Sequence, residues 1–178
     1  MIWFTSDWHL GHKNIIEYAQ RPFKSLEDMN KSIIRNFNEK AKEGDIVIFL
    51  GDFCFKNSNN ARGEGDLKKA IDYLKEIKPN VHFTFIKGNH DAHNSLPSII
   101  EKAVISFGGK KIFCTHKPED YNPKYRINIV GHIHEKWKVK KEKGSYLVNV
   151  GVDVWHFRPV TINEILKAVE QFKKNEKS

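Results

Sequence analysis

The residues of this chain best placed to do chemistry are Asp7 and His9, Asp52, the run Asn89-His90-Asp91, His116, and the pair His132 and His134. Each group directly follows an apolar run. Asp7-x-His9 follows "WFTS", Gly51-Asp52 follows "IVIFL", and Gly88-Asn89-His90-Asp91 follows "FTFIK". His116 follows "KIFCT", and Gly131-His132-x-His134 follows "INIV". Carboxylate, imidazole and amide groups together bind divalent ions. With no thiolate in the set, a cysteine-rich structural zinc site is excluded. Mixed oxygen and nitrogen donors suit Mn²⁺, Fe²⁺, Zn²⁺, Ni²⁺ or Co²⁺ better than Ca²⁺ or Mg²⁺. Asp7, His9, Asp52, Asn89, His116, His132 and His134 are too many donors for one tetrahedral ion. They suit two ions about 3.5–4 Å apart that share a carboxylate, hold a hydroxide and clamp an in-line displacement at phosphorus. His132 and His134 alternate by two, so on an extended strand both rings would face one side.

Strands must carry these residues to one place. Residues 1–5, 46–50 and 81–86 are short apolar runs that predict buried strands. Between them, Leu26, Met29, Ile33, Ile34 and Phe37 recur at spacings of three and four, which predicts a helix over 26–42 with Ser25 as its N-cap. A second helix is expected over 66–78, with Leu67, Ala70, Ile71 and Leu74 facing inward and Pro79 as its stop. This β-α-β-α-β order predicts a partly parallel sheet covered by helices. From residue 102 onward the pattern turns to short strands separated by Gly108-Gly109 and Gly144-Ser145. A final helix begins at Thr161, with Glu164 completing a capping box. In such folds ligands bind beyond the carboxyl ends of the strands, where all the groups above lie.

At 178 residues the chain is read as one domain, residues 1–178, with 39% hydrophobic and 29% charged residues, as expected of a globular protein. Its formal charge of +8 suits an anionic partner, although the lysines are scattered. Cys54 and Cys114 belong to no CxxC pair and read as reduced thiols. No apolar run approaches the roughly 20 residues of a membrane span, and the first residues carry no basic leader. The expectation is a cytoplasmic protein with no membrane association.

The series "SDWH", "GDF", "GNHD", "THK" and "GHIH", in that order from Asp7 to His134, resembles the calcineurin-like metallophosphoesterase superfamily. The resemblance implies an α/β fold, a four-layer α-β-β-α sandwich of two mixed β-sheets flanked by helices, with the metal site at the strand ends. It also implies that Asp7, His9 and His134 bind a first ion, that Asp52 bridges, and that Asn89, His116 and His132 bind a second. Two transition-metal ions are expected, Mn²⁺ foremost. His90 then stands beside the ions as the candidate general acid for the leaving oxygen, with Asp91 as the carboxylate that orients its ring. His12, Lys13, Arg21 and Arg158 are candidate contacts for the substrate phosphate. Asn149 and Gly151 are candidates to line the site, and the roles of Asp153, Trp155 and His156 are open.

Protein phosphatases of this superfamily carry an arginine shortly after the bridging aspartate, where this chain reads "GDFCFKN", and a glutamate where it reads "GNHD". The expected activity is therefore a phosphodiesterase or phosphatase acting on a nucleotide or small phosphate ester. The alternatives are a nuclease, favoured by the positive charge, and a metal-binding scaffold without catalysis. The polar loop 56–66 is a candidate lid.

Overall fold

The computed structural model describes residues 1–55, 68–91 and 96–176; the candidate lid at 56–66 lies outside them. In chain order the elements are β1 (Ile2–Thr5), α1 (Ile15–Tyr18), α2 (Leu26–Lys40), β2 (Ile46–Leu50), α3 (Ala70–Leu74), β3 (His82–Ile86), β4 (Lys102–Phe107) and β5 (Lys110–Thr115). They continue with β6 (Ile127–Val130), β7 (Val139–Glu142), β8 (Ser145–Asn149), β9 (Val160–Thr161) and α4 (Ile162–Asn175). Two mixed sheets result. One has the order β3-β2-β1-β9, with β1, β2 and β3 parallel and β9 antiparallel to β1. The other has the order β4-β5-β6-β8-β7, with parallel pairs in the middle and antiparallel pairs at both edges.

Alternation along β1 explains the two apolar layers. Trp3 points to a cluster with Met29, Ile33, Phe37 and Tyr73, which packs α2 and α3 on the first sheet. Phe4 points the other way, to a cluster with Ile48, Ile112, Ile127, Ile129 and Val148 between the sheets. Helix α4 adds Ile162, Ile165 and Val169 to that second cluster. The two long helices begin where the sequence predicts. The Ser25 hydroxyl accepts from Asp28 N–H at 3.1 Å, and Thr161 and Glu164 form the reciprocal box.

Helix α3 departs from expectation. It runs only from Ala70 to Leu74, Leu67 is outside the described residues, and Ile71 is 54% exposed. The buried stripe is Ala70 and Tyr73, with Leu74 and Ile77 partly buried against the same cluster. Seating the large Tyr73 ring rotates the apolar face by about one residue, which turns Ile71 outward.

Candidate metal centre

The parallel strands β1 and β2 do not end their pairing at Thr5 and Leu50. Asp7 N–H donates to Gly51 O at 3.0 Å, His9 N–H to Asp52 O at 3.0 Å, and Leu10 N–H to Phe53 O at 3.1 Å. The two loops that carry Asp7, His9 and Asp52 are thus stitched together. Trp8, between Asp7 and His9, is fully buried against Phe37, Phe49 and Phe53 and anchors the turn in the core. Asp7, His9, Asp52, His132 and His134 all have positive φ, between 48° and 73°. Non-glycine residues take this conformation rarely and at a cost, and such residues cluster at functional sites. Gly88 lets the third loop approach: a Cβ there would lie 2.2 Å from Asp52 Oδ1.

The donors fall into two groups, Asp7 with His9 and His134, and Asp52 with His116 and His132. His132 and His134, expected on one side of a strand, instead sit in a turn after β6 and serve different groups. The two carboxylates share one design. Asp7 Oδ2 accepts from Ser6 Oγ at 2.5 Å and from His132 N–H at 2.9 Å, while its Oδ1 is buried with no hydrogen-bond partner among the described residues. Asp52 Oδ1 accepts from His90 N–H at 2.9 Å, while its Oδ2 lies 3.5 Å from His9 Nε2 and 3.4 Å from His116 Nε2. One oxygen of Asp52 therefore faces both groups.

The ring nitrogens complete the case for a cation. His116 donates Nδ1–H to Leu50 O at 2.6 Å, which leaves Nε2 facing Asn89 Oδ1 at 2.9 Å and Asp52 Oδ2. With Nε2 deprotonated, three lone-pair donors would converge there, an arrangement that fits a metal ion. His9 Nδ1 and Nε2 are buried without hydrogen-bond partners among the described residues. Burial drives the His9 pKa well below its usual value, so the ring is neutral, as a ligand must be. Burial also raises the Asp7 carboxyl, helped by the Asp52 charge and opposed by His116, His134 and Ser6. Burial resists protonation of His116, but Asp52, Asp7 and the Leu50 carbonyl outweigh it and lift the ring to about 9. Burial likewise pushes Asp52 up, but His116, His9 and the His90 N–H together hold it below the usual carboxylate range. Two buried carboxylates facing a cluster of imidazoles form a donor set that fits divalent metal ions.

His90 is exposed, with its ring 5.3 Å from that of His9 and 6.4 Å from that of His12. Asp91 ties the loop to the Asp52 turn. Its carboxylate accepts from the N–H groups of Asp52 at 3.0 Å, Phe53 at 3.2 Å and Gly88 at 2.8 Å, so it faces the Asp52 turn. The reason is local: a buried turn leaves backbone donors that a carboxylate satisfies well.

The candidate substrate contacts divide. His12 is buried beside the first group and stacked on Phe55 at 4.3 Å, and burial lowers its pKa to about 4. Lys13 is exposed on the adjoining turn. Arg158 is turned away to Glu164 at 2.7 Å and Pro159 O at 3.0 Å, where it supports the start of α4. Arg21 is also no phosphate contact, being buried in a bidentate pair with Asp153 at 2.8 and 3.0 Å. Asn149 pins the loop after His134 by donating to His134 O and Trp137 O, and accepts from Gly151 N–H. Trp155 is core, and His156 is an exposed left-handed cap. Sequence reasoning missed Ser6 and the Arg21–Asp153 pair. The pair spans 132 positions, so no local pattern carries it.

A profile of the calcineurin-like phosphoesterase superfamily domain matches residues 1–162. An uncharacterized protein of Methanocaldococcus jannaschii, MJ1445, is 34% identical over 97% of this chain and 93% of its own length. The gene 66 protein of Mycobacterium phage L5 is 22% identical, covering 98% of this chain and 96% of its own. The solved structure of AQ665 from Aquifex aeolicus, of unknown function, superposes with a TM-score of 0.68 at 23% identity, covering 94% of this chain and 98% of that one, which shows the shared fold. The match across residues 1–162 takes in both ligand groups, and by it the chain belongs to the calcineurin-like phosphoesterase superfamily.

Proposed function

We propose that the whole chain acts as one catalytic domain, a dinuclear metal-dependent phosphodiesterase for nucleotides or small phosphate esters. The observation that carries this reading is Asp52 Oδ2, which lies 3.5 and 3.4 Å from an imidazole of each ligand group. Asp7, His9 and His134 would hold one ion, Asn89, His116 and His132 the other, and Asp52 both. Two divalent ions, when bound, neutralise the ester and lower the pKa of a water. The donor set of oxygen and nitrogen without sulfur suits Mn²⁺, Fe²⁺, Zn²⁺, Ni²⁺ or Co²⁺ alike, and the family resemblance puts Mn²⁺ first.

The chain's own residues then supply the proton. His90 stands exposed at the edge of the first group and donates to the leaving oxygen. Asp91 fixes the loop that presents it, through Gly88 and the Asp52 turn. His12, held on Phe55, and exposed Lys13 line the approach for the phosphate. The segment after Asp52, "GDFCFKN", lacks an arginine, which favours a diesterase over a protein phosphatase. Cys54 and Cys114 are buried and joined in no disulfide among the described residues, which fits a reducing, cytoplasmic setting.

A nuclease is the second reading. It is favoured by the formal charge of +8 and by a cleft of about 350 Å³ beside Asn89 and His116, lined by Lys87, Lys102 and Lys117 together with Glu101 and Asp120. Metal-reconstituted protein assayed with bis-p-nitrophenyl phosphate, p-nitrophenyl phosphate, cyclic nucleotides and single-stranded DNA in Mn²⁺ tests both. Two ions per chain and chelator-sensitive diesterase activity are expected. Full activity with one tight ion overturns the dinuclear reading, and preferential cleavage of DNA selects the nuclease.

A further inference from the structure

Arg21 lies between α1 and α2 and carries none of the chemistry proposed above. Its guanidinium is nevertheless fully engaged. Nε donates to Asp153 Oδ1 at 2.8 Å and Nη2 to Asp153 Oδ2 at 3.0 Å. Nη2 also donates to Asp7 O at 2.7 Å, and Nη1 to Trp8 O at 2.9 Å. The two side chains are 0% and 2% exposed. A buried ion pair is a poor stabiliser, because the cost of desolvation offsets most of the attraction. This pair therefore calls for another reason, and its contacts supply one.

Asp153 Oδ2 also faces His134 Nδ1 at 3.4 Å, placed to accept its N–H. The carbonyls that Arg21 holds belong to Asp7, whose φ is 57°, and to Trp8, the residue between the ligands Asp7 and His9. One guanidinium thus grips the backbone turn that presents Asp7 and His9, and through Asp153 it holds the ring of His134. The second group is supported differently, with His116 donating to Leu50 O and the Asp52 turn bound by Asp91.

We propose that Arg21 and Asp153 are positioning residues that preorganise the Asp7–His9–His134 group and set the affinity of that site alone; this rests on the dinuclear reading above. A carboxylate on Nδ1–H fixes the tautomer, orients the ring with Nε2 toward the ion and makes Nε2 a better ligand. Lysine cannot replace Arg21, because a single ammonium cannot match a planar fork that serves a carboxylate and two carbonyls at once.

Calorimetric titration of metal-free protein with Mn²⁺ tests this, using wild type, Asp153→Asn and Arg21→Lys. His9→Ala and His132→Ala backgrounds identify the two sites. The expected result is a roughly 10–100-fold weaker first site with the second unchanged. Asp153→Asn should add nothing in the His9→Ala background and should weaken the remaining site in the His132→Ala background. Equal weakening of both sites, or of neither, overturns the proposal. Wild type that binds no divalent ion overturns the dinuclear reading itself and this proposal with it. Imidazole ¹⁵N spectra of Zn²⁺-loaded wild type give a second readout that needs no variant at Asp153 or Arg21, with His134 assigned by His134→Gln. His134 should carry its proton on Nδ1, and a proton on Nε2 overturns the proposal. A purely structural ion pair would lower Tm and leave the affinity ratio of the two sites unchanged.

Discussion

Asp52 touches both halves of the centre. One carboxylate oxygen is held by the His90 N–H and the other faces an imidazole of each ligand group. Asp52→Asn should therefore cost more metal and more turnover than any other single ligand change. Elemental analysis should find one ion or fewer, and a variant with both ions and near wild-type turnover would refute the bridge. His90 predicts the opposite pattern. It is exposed, and its side chain is outside both ligand groups. His90→Ala should keep both ions and lose about 10²–10⁴-fold in turnover. Because p-nitrophenolate leaves without a proton, its esters should lose least and alkyl or nucleoside esters most. A uniform loss would mean that His90 binds phosphate instead.

Among the elements, the first sheet is tied at both ends of its strands. Beyond the carboxyl ends, the β1 and β2 loops continue their pairing into the ligand turns. At the other end, Asp45 joins the start of the sheet. It accepts from the Met1 ammonium, from Trp3 Nε1 at 2.7 Å and from Lys42 N–H at 2.9 Å, and its carbonyl accepts from His82 N–H at 2.8 Å. The Met1 ammonium first, against the small opposing effect of burial and with help from Trp3 and Lys42, holds its carboxyl at about 2. A folded-state value below the unfolded value of about 3.9 means a stabilisation fully present above pH ~4 and lost as pH falls toward 2. Asp45→Asn should thus have a lower Tm than wild type at neutral pH. The gap should close between about pH 4 and pH 2, and thermal melts across that range with a constant gap would exclude the ionised carboxylate as its cause.

For the molecule as a whole, the proposed ligands come from loops after β1, β2, β3, β5 and β6, and so from both sheets. An ion bound by both sheets stabilises only the folded chain. At a free ion concentration 100 times Kd, each site should add about 2.7 kcal/mol. At roughly 2–4 °C per kcal/mol for a domain of this size, chelation should lower Tm by several degrees per site. Differential scanning calorimetry with and without EDTA measures this, and an unchanged Tm would argue against bound ions. The formal charge of +8 adds a field that attracts anionic esters, and salt should weaken that attraction.

What the sequence by itself determined about this protein is local. A buried strand is a short apolar run, and its exit is marked by the first polar residues, so the donors after "WFTS", "IVIFL", "FTFIK", "KIFCT" and "INIV" are legible from the order of residues alone. Ser25 and Thr161 mark the helix starts because a cap bonds only three residues ahead. Tertiary structure decided the rest, wherever contacts are distant or a backbone turns left-handed. Strand alternation would place His132 and His134 together, but positive φ at both sends them to different groups. Asp91 sits next to His90 in the chain, yet it answers to backbone donors 38 and 39 positions away, because buried N–H groups must be satisfied. Nothing adjacent to Arg21 in the chain marks it as a core residue; Asp153, 132 positions on, meets it there. A charge is buried only where its partner is, and only the folded chain shows where that is.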